Sequence, residues 1–462
     1  MNILMMTNTY TPIVGGLERS VRDFSEEYRR RGHRVLIVAP EFDGMPERER
    51  DVLRIPAIQK FNGSDFSVKL PVPRILTKAL MEFQPDLIHA HHPFLIGNTA
   101  LRLAHTRELP LVFTHHTLFE QYTHYLPIDT PAIERFVVEL STGYANLCDQ
   151  VFAPSHSVAK LLEERDVTTP IAVVPTGVDV QRFASGRRVE GRTALRIGRN
   201  ALVVGHVGRL APEKNLGFLA RAMARFLTSE PAARCLVVGQ GPSEDEIRQV
   251  FAEAGVADRL VMPGVLKGQD LIDAYHAMDL FAFASQSETQ GLVVAEAMAV
   301  GIPVVAVDAP GVRDVVRNGW NGRLLPSEIL EEFVTALRWV AHLKPARYRA
   351  LVKAARATAE ELSMERCADL ALGLYRSLLA KNLVERRLVE ENPWTRALHR
   401  MRAEWEVLKT VTKATTAAMA TRTQSEPVLP ARQARQLHVP QERIRILRGL
   451  PVVRSRCITR QR

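Results

Sequence analysis

Short apolar runs alternate with stretches in which apolar residues recur every three or four positions, and the alternation begins with the first residues of the chain. Residues 2–7, 34–39, 86–90, 111–114, 150–153 and 171–174 read as short buried strands, with helical periodicity at 17–31, 97–106 and 131–147 between them. A second series opens at 202–207 (LVVGHV) and continues through 235–238, 260–262, 280–284 and 303–307, again with helical patterns between. Strands apolar on both faces and separated by amphipathic helices imply parallel sheets covered on both sides. The stretch 184–200 (ASGRRVEGRTALRIGRN) separates the two series and is polar, basic and Gly-containing, as a linker would be. One further amphipathic helix, 366–382, exhausts the second series, and no internal repeat is visible. The pattern predicts two doubly wound α/β domains with a cleft between them, 1–183 and 201–365. A closing helix at 366–384 and an appended, partly disordered, Arg-rich 385–462 follow.

Composition changes this picture little, except at the end of the chain. At 462 residues, two or three domains are expected, and 46% hydrophobic with 24% charged residues is ordinary for a soluble globular protein. Cys148, Cys235, Cys367 and Cys457 share no metal-ligand or CxxC spacing, which points to a reducing compartment without a disulfide framework. The opening MNILMMTNTY reads as a first strand rather than a signal peptide, and no apolar run approaches the ~20 residues of a spanning helix. The formal charge of +10 is concentrated: residues 427–462 hold nine arginines and one glutamate, a net of +8. Such a tail is either a solvated extension or a contact for anionic lipid. Nucleic acid is not expected, because no stacking aromatics are interleaved with the arginines.

The segment 285–301, SQSETQGLVVAEAMAVG, carries the most chemistry. A strand at 280–284 leads through a loop into a helix, and helix N-termini at the end of a sheet hold phosphate. Glu288 falls in that loop and Glu296 in the second helical turn. A carboxylate beside a phosphate is repelled unless it has hydroxyls to accept from, so the implied ligand is a phosphate carrying a polyol, a sugar nucleotide. Arg209 and Lys214 follow the strand 202–207, where they can neutralise a diphosphate leaving group. Gly15 and Gly16 sit between the first strand and the helix after it, and His115 and His116 end the strand LVFTHH.

The array PTGVD (175–179), GRLAPEKN (208–215), VVGQGP (237–242), PGVL (263–266) and SETQGLVVAEAMAVGIPVVA (287–306) resembles the retaining nucleotide-sugar glycosyltransferases of family 4 over residues 1–382. Glu288 and Glu296 match that family's E-x7-E motif. The resemblance implies the GT-B fold, two Rossmann-like domains with the donor held mainly by the second, and neither a metal nor a cofactor. His89, His91 and His92, a tempting metal cluster, are therefore not expected to hold one. The HHPFLIG (91–97) and FTHHTLFEQYTHYLP (113–127) segments further resemble bacterial diacylglycerol glycosyltransferases.

On this resemblance, Arg209 and Lys214 bind phosphate, His116 contacts the sugar near its reacting carbon, and Glu288 accepts from sugar hydroxyls. Glu296 accepts from the ribose. Gly15 and Gly16 let backbone approach the donor or acceptor; Gln290, Gly291 and Leu292 offer backbone N–H groups; Val265 and Leu266 line the base pocket. No carboxylate nucleophile is identifiable, which favours same-face attack with the leaving phosphate taking the acceptor proton. The expected activity moves a hexose, glucose from UDP-glucose, to diacylglycerol or a related lipid at the cytoplasmic face of a membrane. A soluble sugar or lipid-linked glycan acceptor, a UDP-sugar isomerase and a non-catalytic sensor are the alternatives. Residues 59–80, where Lys60, Lys69, Arg74 and Lys78 interleave with apolar side chains, are the expected second contact with anionic bilayers.

Overall fold

The computed structural model describes residues 1–13, 15–58, 68–69, 74–120, 130–388 and 409–418, and Met1–Met419 form one compact unit. Its strands are β1 (Asn2–Met6), β2 (Arg34–Pro40), β3 (Val52–Ile55), β4 (Ala57–Ile58), β5 (Val68–Lys69), β6 (Leu87–Ala90), β7 (Leu111–Thr114), β8 (Gln150–Ala153) and β9 (Ile171–Val173). The second half adds β10 (Leu202–Val207), β11 (Ala233–Val238), β12 (Leu260–Gly264), β13 (Leu280–Phe283), β14 (Val304–Val307) and β15 (Gly322–Leu325). They form a seven-stranded sheet ordered β3-β2-β1-β6-β7-β8-β9 and a six-stranded sheet ordered β12-β11-β10-β13-β14-β15, with β4-β5 a separate antiparallel pair. Every pairing in both large sheets is parallel, as when Met5 lies opposite both Ile37 and His89. These are the two Rossmann-like halves that the alternation of strand and helix implied.

Each sheet is sandwiched between two apolar layers. Met6, Ile88, Phe113 and Val151 face one layer of the first sheet, and Ile3, Ile37, Val112 and Phe152 the other. In the second sheet Val203, Leu236, Phe281 and Val304 oppose Val204, Val237, Ala282 and Val305. This two-sided burial explains why the strands read as continuous apolar runs rather than as alternating ones. The edge strands β3 and β15 are less apolar, and the sequence pattern passed over both.

Two segments differ from expectation. Residues 184–200 are not an open linker: the helix Arg188–Ala194 packs on the second half, with Arg187 paired to Asp273 at 2.8 Å and Arg192 to Asp279 at 2.9 Å. A Cβ on Gly191 would meet the Asp273 carbonyl, so the helix sits tightly. A solvated linker and a docked basic helix share one composition, and only the aspartates at 273 and 279 distinguish them. Beyond 385, the helix Met364–Leu388 continues three residues further, and residues 409–418 form a helix against Pro131–Ala145. There Ala414 is buried, Lys413 pairs with Glu139 at 3.0 Å, and the Arg135 guanidinium donates to the Ala417 and Ala418 carbonyls. The arginine tail lies outside the described residues.

The chain passes between the halves twice, side by side. Val178 N–H donates to Leu362 O at 2.9 Å and Met364 N–H to Val178 O at 3.0 Å. The helix Met364–Leu388 then buries Cys367, Ala368, Ala371 and Tyr375 against Tyr28 and Phe152 of the first half.

Candidate functional site

Both sheets reverse their strand order at a central strand, β1 in the first and β10 in the second, and ligands of open α/β sheets bind at the carboxyl ends beside such points. Gly15–Gly16 follow β1, Arg209 and Lys214 follow β10, Glu288 follows β13, and His116 follows β7. The sequence-nominated residues thus come from the carboxyl edges of the two sheets.

Direct contacts tie these loops together. Lys214 forms an ion pair with Glu288, and both are largely buried. Arg209 pairs with Glu213 and stays half-exposed. Glu296 is buried, accepts from the Tyr275 hydroxyl at 2.6 Å and pairs with Arg19 of the first half. The Thr289 hydroxyl donates to the His116 carbonyl at 2.9 Å. Gln290 spans the halves with its side chain: its amide donates to the Thr176 carbonyl and accepts from the Thr176 N–H, both at 2.7 Å. Its expected service was a backbone N–H; the structure gives the amide group this second use.

Gly291 has φ +76° and opens the helix Leu292–Val300, a left-handed position that glycine tolerates best. Leu292 is its first residue. Gly15 is extended, and only the movable end of Glu18 stands where its Cβ would go. No atom of the described residues lies within 4 Å of a Cβ on Gly16, so that backbone is open on this side. At the end of β12, Val265 is exposed and Leu266 packs partly against the core.

Four buried histidines, His89, His91, His92 and His115, gather with the partly exposed His116 at the carboxyl edge of the first sheet and below it. His89 Nε2 meets Thr114 Oγ1 at 2.7 Å, His92 Nδ1 accepts from the Asn8 N–H at 3.1 Å, and His91 Nδ1 lies 3.0 Å from His116 Nε2. His115 is buried beside them. No group of His, Cys, Asp or Glu among the described residues is arranged to hold a metal. Burial explains their state instead: it pushes the imidazoles of His89 and His92 down to about 3 and that of His115 to about 4. Burial also pushes His206, beside Lys214, down to about 4, and holds His91 and His116 well below the ordinary value.

A pH dependence of stability follows. The folded values lie below the unfolded 6.5, so between about 4 and 6.5 the unfolded chain binds more protons and stability falls as acid is added. Each such histidine contributes a slope of at most about 1.4 kcal/mol per pH unit. Thermal melts across this range should show a steep loss of melting temperature below pH 6.5; a flat profile would contradict the buried neutral histidines.

Arg19, Glu18, Tyr275, Thr176 and His91 belong to this constellation and were not assigned roles from sequence. Arg19 lies in the first turn of the helix after Gly15–Gly16, so its position after a glycine loop was the available signal. Glu18, also in that turn, is buried, and burial raises its carboxyl above the usual range. Thr176 lies within the PTGVD motif, but Tyr275 carries no local signal.

Residues 14–182 match Glycosyltransferase Family 4, and residues 190–358 match Glycosyl transferases group 1. The chain is 28% identical over 71% of its length to alpha-monoglucosyldiacylglycerol synthase of Streptococcus pneumoniae, covering 76% of that protein. It is 31% identical over 77% of its length to a GDP-mannose-dependent alpha-mannosyltransferase of Mycobacterium tuberculosis, covering 91% of it. Among solved structures, Anabaena HepE in complex with UDP and glucose superimposes with TM-score 0.66 at 22% identity, over 82% of this chain and all of that one.

Proposed function

We propose that this chain, which belongs to glycosyltransferase family 4 and is a glycosyltransferase, moves glucose from UDP-glucose to a diacylglycerol-type lipid with retention of configuration. The observation that carries the reading is the cluster Lys214–Glu288 with Glu296 at the carboxyl edge of the second sheet, drawn against the His116 loop of the first. Lys214 and Arg209 offer charge to a departing diphosphate, where preorganised cations lower the barrier most. Glu288 offers a carboxylate to sugar hydroxyls and to positive charge at the anomeric carbon, and Glu296 one to the ribose. A neutral His116 adds no cation beside that developing charge. Gly16 leaves room for substrate to approach the backbone. With the leaving phosphate as the proton acceptor, attack on the departing face needs no protein base.

The glucose donor and lipid acceptor are supported by the similarity to a glucosyldiacylglycerol synthase. The mannosyltransferase relative makes GDP-mannose the second donor to test. Incubating the protein with UDP-glucose, GDP-mannose and related donors plus diacylglycerol, and analysing lipids by mass spectrometry, decides between them. The expected product is a hexosyl lipid made from UDP-glucose with an α-linkage by its NMR coupling constant. A β-linkage, or product only from a soluble sugar acceptor, would refute this reading.

An enzyme whose acceptor stays in the bilayer must be held at its surface. No helix among the described residues is long and apolar enough to cross a membrane. The helix Arg74–Phe83 exposes Ile75 and Met81 beside Lys78, which suits contact with a headgroup boundary, while 59–67 and 70–73 lie outside the described residues. Sedimentation with liposomes should require anionic lipid and weaken with salt. Because 409–418 pack on Pro131–Ala145, the cut that removes the arginine tail without disturbing the first half lies after Met419. That truncation should reduce liposome binding and keep donor turnover. Equal binding to neutral and anionic liposomes would count against the membrane reading.

A further inference from the structure

A line of side chains runs from the closing helix into the His116 loop, and the donor contacts above do not account for it. The Tyr28 hydroxyl donates to that of Tyr375 at 3.5 Å, and Tyr375 Oη lies 2.6 Å from His89 Nδ1. His89 Nε2 is 2.7 Å from Thr114 Oγ1. With its own lone pair receiving Tyr28, Tyr375 donates to His89 Nδ1, and His89 then carries its proton on Nε2 toward Thr114. Phe152 stacks on the Tyr375 ring at 5.8 Å, which fixes the phenol sideways. The His89 ring faces that of His91 at 4.2 Å between centroids. His91 Nδ1 meets His116 Nε2 at 3.0 Å. The remaining nitrogen of His91, Nε2, is buried and has no hydrogen-bond partner among the described residues.

Two neutral imidazoles joined by one N···N contact can share the proton in two ways. If His116 donates from Nε2, His91 must carry its own proton on Nε2, a buried N–H with no acceptor. If His91 donates from Nδ1, its Nε2 is a bare lone pair and His116 keeps a proton on Nδ1. Buried unpaired donors are rarer than buried unpaired acceptors, so the second arrangement is favoured. His116, unlike His91, is partly exposed, so its Nδ1 belongs to the half of the pair that substrate can reach.

We propose that His91 is a positioning residue that sets the tautomer of His116, so that His116 presents an Nδ1–H donor to a hydroxyl oxygen of the transferred sugar. Tyr375 and His89 hold the His91 ring in place. The assignment of the oxygen to the sugar rests on the function proposed above; the tautomer rests on the geometry alone. The closing helix thereby reaches the site chemically as well as by packing, since Tyr375 comes from the segment that returns to the first half after the second is complete.

The test uses the full-length protein labelled with 15N-histidine, with His116 assigned by comparison with His116→Gln. The expected spectrum shows a neutral His116 protonated on Nδ1 and bare on Nε2. His91→Leu should remove that preference and lower kcat by about 10- to 100-fold, the scale of loss seen when a metal-binding histidine is deprived of the partner that orients it. His91→Asn, whose amide can donate from near the Nδ1 position, should restore most of the rate and the tautomer. Wild-type His116 protonated on Nε2 would overturn the proposal, and it needs no variant to fold. His91→Leu with an unchanged tautomer would overturn it too, as would His91→Asn no faster than His91→Leu. If the wild-type protein transfers no sugar from any donor, the function proposed above fails, and the NMR spectrum still decides the tautomer.

Discussion

Glu288→Ala and Lys214→Ala each lower glycosyl transfer by about 10²–10³-fold, the loss typical when one preorganised charged group is taken from a transition state. The two side chains touch each other, so each variant removes its own contact with substrate and also frees its partner to adopt another rotamer. Glu288 sits in the loop between β13 and the helix Leu292–Val300, and Lys214 in the short turn after β10. Neither lies in an apolar layer of the sheets, so the folded state should survive both changes. Measuring kcat, KM for the nucleotide sugar and the melting temperature of each variant separates the effects. Rates within about tenfold of the parent in both would sink the assignment of the site. A loss confined to the melting temperature would make the pair structural.

The second large effect is expected at a residue with no chemistry of its own. Gly311 lies in the short helix Pro310–Arg313, and its N–H donates to the Glu288 carbonyl at 2.9 Å. A Cβ there would stand 2.1 Å from Gln290 N, 2.4 Å from Thr289 C and 2.5 Å from Gln290 Cα. All three are backbone atoms and cannot rotate aside, so the loop carrying Glu288, Thr289 and Gln290 must shift. A displacement of about 1 Å in a catalytic constellation costs about 100-fold in rate, so Gly311→Ala should lose transfer on that scale. Its melting temperature should fall as well, because the Gln290–Thr176 bonds across the halves depend on the same loop. Gly373→Ala is the control. That glycine is helical and a Cβ would meet no atom of the described residues within 4 Å, so the change should be neutral or stabilise by up to about 1 kcal/mol. If Gly311→Ala retains full activity, the close approach of 311 to 289–290 does not constrain the site.

The sequence by itself determined the strand–helix alternation, and hence two parallel sheets buried on both faces. Each central strand must be apolar on both sides, and that requirement is written locally as an unbroken apolar run. It also contained the residues whose order along the chain marks the glycosyltransferase family: Arg209 and Lys214 after β10, Glu288 and Glu296 astride a strand-to-helix loop. The edge strands β3 (VLRI) and β15 (GRLL) escaped because Arg54 and Arg323 interrupt their short apolar runs. The other two edges, β9 and β12, are no more buried and were legible. The helix Arg188–Ala194 looked like a linker because its arginines are neutralised by Asp273 and Asp279, some eighty residues later.

Only the tertiary structure decided which of these residues touch. Arg19 reaches Glu296, Gln290 brackets Thr176, and Tyr375 ends beside His89, each contact joining positions far apart in sequence. A side chain's type announces what it can donate or accept, but its partner is chosen by the packing of layers that no local window contains. The same holds for Gly311, whose missing side chain matters because of the backbone of another loop. It holds also for the buried histidines, whose neutrality follows from burial that the sequence HHPF does not display.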